Sequence, residues 1–106
     1  MSVMSQTKAR RSRRVQGELF RLSEAVKGDA GVIVSVGSEG DAETGGVTRF
    51  ELERRLLEMG FVEGAVVRVL HEGFIGYDPI AVQLDDMRVA IRRREAADVV
   101  LRASGA

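Results

Sequence analysis

AVVRVLHEGFIGYDPIAVQLDDMRVAI, residues 65–91, is the stretch that decides the fold. Ala65-Val66-Val67-Arg68-Val69-Leu70-His71 is β-branched and short, which predicts a strand. Ile80, Val82 and Leu84 alternate onto one face of a second strand, and Met87, Val89 and Ile91 alternate in a third. Asp85-Asp86 between them reads as a tight turn, so 79–92 is predicted to be a hairpin. Downstream, Arg93–Ala97 can form one helical turn before a last short strand at Val99-Val100-Leu101.

Working upstream, Thr48 and Glu51 form a capping box, with Val47 able to staple onto Leu52. Leu52, Leu56 and Met59 fall at i, i+4 and i+7, and Phe50 and Leu57 widen this apolar stripe. Glu51, Arg54, Arg55 and Glu58 take the solvated side, and Gly60 can stop the helix in the left-handed conformation. A helix over 49–59 follows. GSEGDAETGG (37–46) reads as a loop, and Gly31–Val36 as the first strand. Leu19, Leu22 and Val26 recur at helical spacing. Ser23 can cap a short turn from Glu24, and Lys27-Gly28-Asp29 reads as a turn.

Five short strands leave vulnerable edges unless the sheet closes on itself. The expectation is a mainly β fold: a small, five-stranded SH3-like barrel with one inserted α-helix at about 48–59. Residues 1–18 are expected to be a disordered basic arm, 19–102 the barrel domain and 103–106 a disordered tail.

The chain has 106 residues, no Cys and zero net charge. Six basic groups and one acid fall within residues 1–21, so a basic arm joins a mildly acidic body. That acidic body argues against non-specific nucleic-acid binding by the domain itself. The cluster Arg10-Arg11-Ser12-Arg13-Arg14 could meet acidic protein, nucleic acid or anionic lipid. Lack of Cys removes disulfides, thiolate metal sites and Cys nucleophiles, and fits a reducing cytosol. No apolar run approaches the roughly 20 residues of a membrane span, and no secretory signal is expected.

Little here points to chemistry. The single His, His71, has no partner at an identifying spacing, so no catalytic dyad emerges. His71, Glu72, Asp78 and Asp85-Asp86 match no metal-site pattern, and no glycine stretch matches a phosphate-binding loop. No catalytic, cofactor or metal residue is assigned, and the chain is expected not to be an enzyme. What remains is the loop 72–78. It sets Phe74, Ile75 and Tyr77 among glycines, and exposed apolar clusters mark interfaces. These three residues are the candidate partner-binding set, with one ring alternatively folding back to plug the barrel. The helix face bearing Arg54 and Arg55 is the fallback surface.

RRLLEMGFVEGAVVRVL (54–70), GYDPIAVQL (76–84) and MRVAIRRREAADVVL (87–101), in this order, resemble the FeoA family. Met59-Gly60, Glu63-Gly64, Tyr77-Asp78-Pro79, Ala90-Ile91-Arg92 and Glu95-Ala96 stand where that family's pattern places its turns and strand cores. Leu22-Ser23-Glu24 and Lys27-Gly28 look like its opening turn. The longer loop 37–46, the basic arm and Asp85-Asp86 in place of a glycine-containing hairpin depart from the pattern. The resemblance implies an accessory of bacterial ferrous iron uptake without cofactor or catalytic residues. Its implied partner is the cytosolic GTP-binding portion of the membrane iron permease FeoB. It implies a cytoplasmic protein, recruited to the inner membrane face. The same domain type ends iron-dependent repressors, so a regulatory domain that binds peptide or nucleic acid is the alternative.

Overall fold

The hairpin forms where alternation places it. The computed structural model of the chain describes residues 13–37 and 49–104. In it Ile80–Leu84 and Met87–Ile91 pair antiparallel, with Leu84 opposite Met87. Asp85 takes φ 52°, a left-handed conformation that the short Asp side chain tolerates. Its backbone N–H donates to the Val66 carbonyl at 2.8 Å, and its Oδ1 accepts the Val66 N–H at 2.9 Å. The turn is thereby tied to the start of the preceding strand.

Six strands build one antiparallel sheet: β1 Leu19–Arg21, β2 Ala30–Val36, β3 Val66–Glu72, β4 Ile80–Leu84, β5 Met87–Ile91 and β6 Val99–Ala103. Their order is β1-β6-β2-β3-β4-β5. The fold is mainly β, as expected, but the five-stranded barrel is corrected on two points. A sixth strand, β1, pairs with β6, and no ladder joins β1 to β5 among the described residues. Leu19 and Leu22 are not one helical stripe. Phe20 turns inward while Leu19 and Arg21 turn out, and the chain then makes a 3-10 turn at Leu22–Glu24. Ser23 does not cap that turn; Arg21 holds the cap position without a side-chain bond. Pairing decided this segment, because Leu101 lies opposite Phe20 and offers its backbone a ladder.

The described segments flanking the sheet pack against it. Ala103, assigned to the tail, is buried in β6, and its N–H bonds the Glu18 carbonyl at 2.7 Å. Residues 13–18, assigned to the arm, lie against the body. Arg14 reaches the buried Asp29 through Nε at 3.1 Å, Glu18 through Nη1 at 3.2 Å and the Glu24 carbonyl through Nη2 at 3.1 Å. Its guanidinium stacks over Phe20, 4.1 Å from the ring centroid. The rest of the arm, most of the loop 37–46, and Val47 and Thr48 lie outside the described residues.

Helix α1 spans Arg49–Met59. Leu52 and Leu56 are buried, whereas Phe50 and Leu57 are 74% and 43% exposed and Met59 is 36% exposed. The apolar stripe is thus narrower than its sequence spacing suggested. A helix lying over one side of a small sheet buries only the strip one turn apart that faces it. Gly60 ends it with φ 107°. The Gly60 N–H bonds Leu57 and the Phe61 N–H bonds Leu56, the paired bonds that close a helix C-terminus. Phe61 then enters the core with Leu56, Leu22, Ile33 and Leu101.

A candidate partner-binding site

Glu72 pairs with Ile80 across β3 and β4, so residues 73–79 leave the sheet as one excursion. The Gly73 N–H bonds the Pro79 carbonyl at 2.9 Å and closes its base. A Cβ on Gly73 would collide with the Asp78 backbone, so only glycine fits there. Gly76 and Tyr77 both take left-handed φ, 70° and 59°, and together they fold the tip back on itself. For Tyr77 that conformation costs about 1–2 kcal/mol. The contacts beneath the tip hold it there.

Arg93 makes those contacts. Its Nε–H donates to the Tyr77 carbonyl at 2.8 Å. Nη1 donates to the carbonyls of Ser23 and Ala25 at 2.9 and 2.8 Å. Nη2 meets Glu72 Oε1 at 2.7 Å, and the Arg93 N–H donates to Asp78 Oδ1 at 2.8 Å. Glu72 Oε2 also accepts the Lys27 N–H at 2.9 Å. One side chain thus fastens the tip, the end of β3 and the first 3-10 turn together. The guanidinium suits this because its donors lie in a rigid planar fork.

Above that anchor Phe74 is fully exposed, Ile75 is 88% exposed and Tyr77 about half exposed. None of the three plugs the sheet, because Phe61 and its aliphatic neighbours already fill the core. The helix surface is built differently. Arg54 pairs with Glu58 at 3.3 Å in solvent, and Arg55 Nη2 stands 3.9 Å from Glu95 Oε2. Phe50, Glu53, Arg54, Leu57 and Glu58 line a shallow groove of about 400 Å³. The segment Arg93–Glu95 lies between the two surfaces, gripping the tip on one side and meeting Arg55 on the other.

Sequence reading missed Arg93. It sits in the run Arg92-Arg93-Arg94, and nothing in one dimension separates the inward residue from its two exposed neighbours. Among the described residues no three His, Cys, Asp or Glu side chains gather into a metal-binding group. His71 is exposed on β3. Among the same residues no helix is long and apolar enough to cross a membrane.

The family model of the FeoA domain matches residues 20–103. The chain is 39% identical over 80 residues to a Porphyromonas gingivalis "Fe(2+) transport protein A/Fe(2+) transporter FeoB fusion protein". That match covers 76% of this chain but only 8% of the much longer relative. Among solved structures, an iron uptake regulatory protein (FeoA) superposes with TM-score 0.62 at 27% identity, over 81% of this chain and 99% of the other. A Stenotrophomonas maltophilia FeoA complexed with zinc, described as a procaryotic SH3 domain protein, gives TM-score 0.60 at 35% identity, over 77% and 88%. A manganese-dependent transcriptional repressor, 17% identical with TM-score 0.60 over 84% of this chain and 44% of its own, shares the fold alone.

Proposed function

The chain belongs to the FeoA family, and on that premise we propose that it is an accessory, regulatory module of bacterial ferrous iron uptake. It binds the cytosolic portion of a FeoB-type iron permease and catalyses nothing itself. The observation that carries this reading is the rigid apolar tip: Phe74 and Ile75 stand in solvent on a base fixed by Arg93. A preformed loop loses little conformational entropy on docking, and aromatic anchors commonly contribute more than about 1 kcal/mol each. The fusion relative supports the choice of partner, since it carries a transport protein A portion and a FeoB transporter in one chain. Covalent linkage of that kind raises the effective concentration of two modules that meet. In this reading the protein works in the cytoplasm at the inner membrane face, and iron is the permease's cargo. The arm's remaining basic residues, such as Arg10 and Arg11, add long-range attraction to acidic protein or lipid there.

The test is calorimetric titration of the purified chain into the cytosolic domain of the cognate permease. Phe74→Ala and Tyr77→Ala should each weaken binding about five-fold or more, equivalent to about 1 kcal/mol. Unchanged affinity in a folded Phe74→Ala/Tyr77→Ala double variant would move the interface to the helix surface at Arg54 and Arg55.

A further inference from the structure

The outward face of the sheet is charged with one sign. The strand positions that alternate with the core carry Arg21 on β1, Arg102 on β6, Arg68 on β3 and Arg88 on β5, all exposed. No strand places an acid on that face; its other members include Val32, Val66, Gln83 and His71. Among the described residues none of these four arginines is in an ion pair, while Arg14, Arg54, Arg55 and Arg93 all are. Register fixes their spacing. Arg68 lies opposite Gln83, and Gln83 opposite Arg88, so Arg68 and Arg88 share one row two strands apart. Arg102 lies opposite Val32 on β2, the strand between β6 and β3. At about 4.8 Å per strand, the Arg68 and Arg88 stems stand about 10 Å apart, and Arg102 lies in the neighbouring Val32–Val66 row. Asp85 and Asp86 sit on the turn at one end, where Asp85 is bonded to Val66, and Glu18 precedes β1 at the other side of the sheet, where it is paired with Arg14.

We propose that this face, centred on Arg68, Arg88 and Arg102, is a docking surface for the anionic headgroups of a lipid bilayer. Lipids diffuse laterally, so headgroups can gather under separated cations on a sheet face. A nucleic acid offers phosphates at fixed, closer intervals and would need a groove-entering element or stacking aromatics. This face has no groove-entering element, and its strands carry no outward Phe, Tyr or Trp; among the described residues its one ring is His71 on β3, too little for a stacking platform. Interspersed valines suit the apolar–polar boundary of a membrane better than bulk water. Such contact would orient a domain whose permease partner lies in the same membrane.

The test needs no permease and so stands apart from the reading of the tip. The full chain is co-sedimented with vesicles of phosphatidylcholine alone, or of phosphatidylcholine mixed with phosphatidylglycerol. The chain should partition onto the mixed vesicles only, and added salt should release it. Arg68→Gln, Arg88→Gln and Arg102→Gln should each weaken partitioning about five-fold, equivalent to about 1 kcal/mol per basic residue. The triple variant should lose it while keeping its melting temperature, because these positions are exposed. Arg54→Gln, on the helix, should change nothing. Equal partitioning onto both vesicle types, no partitioning, or full binding by the triple variant through the remaining basic arm would each overturn the proposal. So would salt-sensitive binding to duplex DNA or RNA that needs these arginines, in a chain that ignores vesicles.

Discussion

Replacing Arg93 by Met keeps the aliphatic stem and removes the fork. Four side-chain hydrogen bonds vanish, to Tyr77, Ser23, Ala25 and Glu72. Hydrogen bonds to a charged group contribute about 1.5–3 kcal/mol each, but bonds in one network do not add. Breaking a fully buried ion pair costs about 3–5 kcal/mol. The Arg93–Glu72 pair is 17% and 9% exposed, and Glu72 keeps the Lys27 N–H, so the loss falls below that ceiling. An expected cost of about 3 kcal/mol follows, or about 12–24 °C in melting temperature for a domain of this size. Arg93→Lys should recover only part of it, because an ammonium can meet Glu72 but cannot span three carbonyls. Equilibrium unfolding in urea measures the cost. A double-mutant cycle with Glu72→Gln should return a coupling of about 1 kcal/mol or more. Hydrogen exchange should also accelerate at the Gly73 amide, which closes the tip. A destabilisation below about 0.5 kcal/mol, the range of an ordinary surface change, would refute the reasoning.

Three further outcomes are expected. Leu56→Ala should destabilise by about 2–5 kcal/mol in the same unfolding assay, since Leu56 is buried beneath α1 with Phe61. Phe74→Ala and Ile75→Ala should leave stability within about 0.5 kcal/mol, because neither side chain is covered in the free protein, and calorimetric scanning would show it. Arg14→Ala should cost about 1.5–3 kcal/mol by removing the ion pair to the buried Asp29 together with the bonds to Glu18 and the Glu24 carbonyl, and truncation of residues 1–18 should cost at least as much in thermal unfolding.

Wherever one physical period dominated, the chain could be read directly. Strict alternation in 80–91 specified a hairpin, because a two-residue repeat can bury one face only as a strand. The helix at 49–59 and its stop at Gly60 were legible for the same reason: spacing of apolar residues and a glycine are local signals. The apolar tip was legible by contrast, as three large residues in a glycine-rich connection with no periodicity to bury them. Long-range partners were not. Leu19–Arg21 became a strand because β6, some 80 residues onward in register, supplied its backbone hydrogen bonds. Arg14, written among five basic-arm residues, was claimed by Asp29 and Phe20. Phe50 and Leu57 lost their place in the core because the sheet met only one strip of the helix. Arg93 was chosen over Arg92 and Arg94 because its side chain alone lies over Glu72 and the carbonyls of Ser23, Ala25 and Tyr77. The single-signed sheet face arose in the same way, from strands distant in sequence whose outward residues become neighbours only after pairing. Sequence by itself determined what depends on neighbours along the chain; contacts across the fold decided which charges are spent on structure and which stay free to meet a partner.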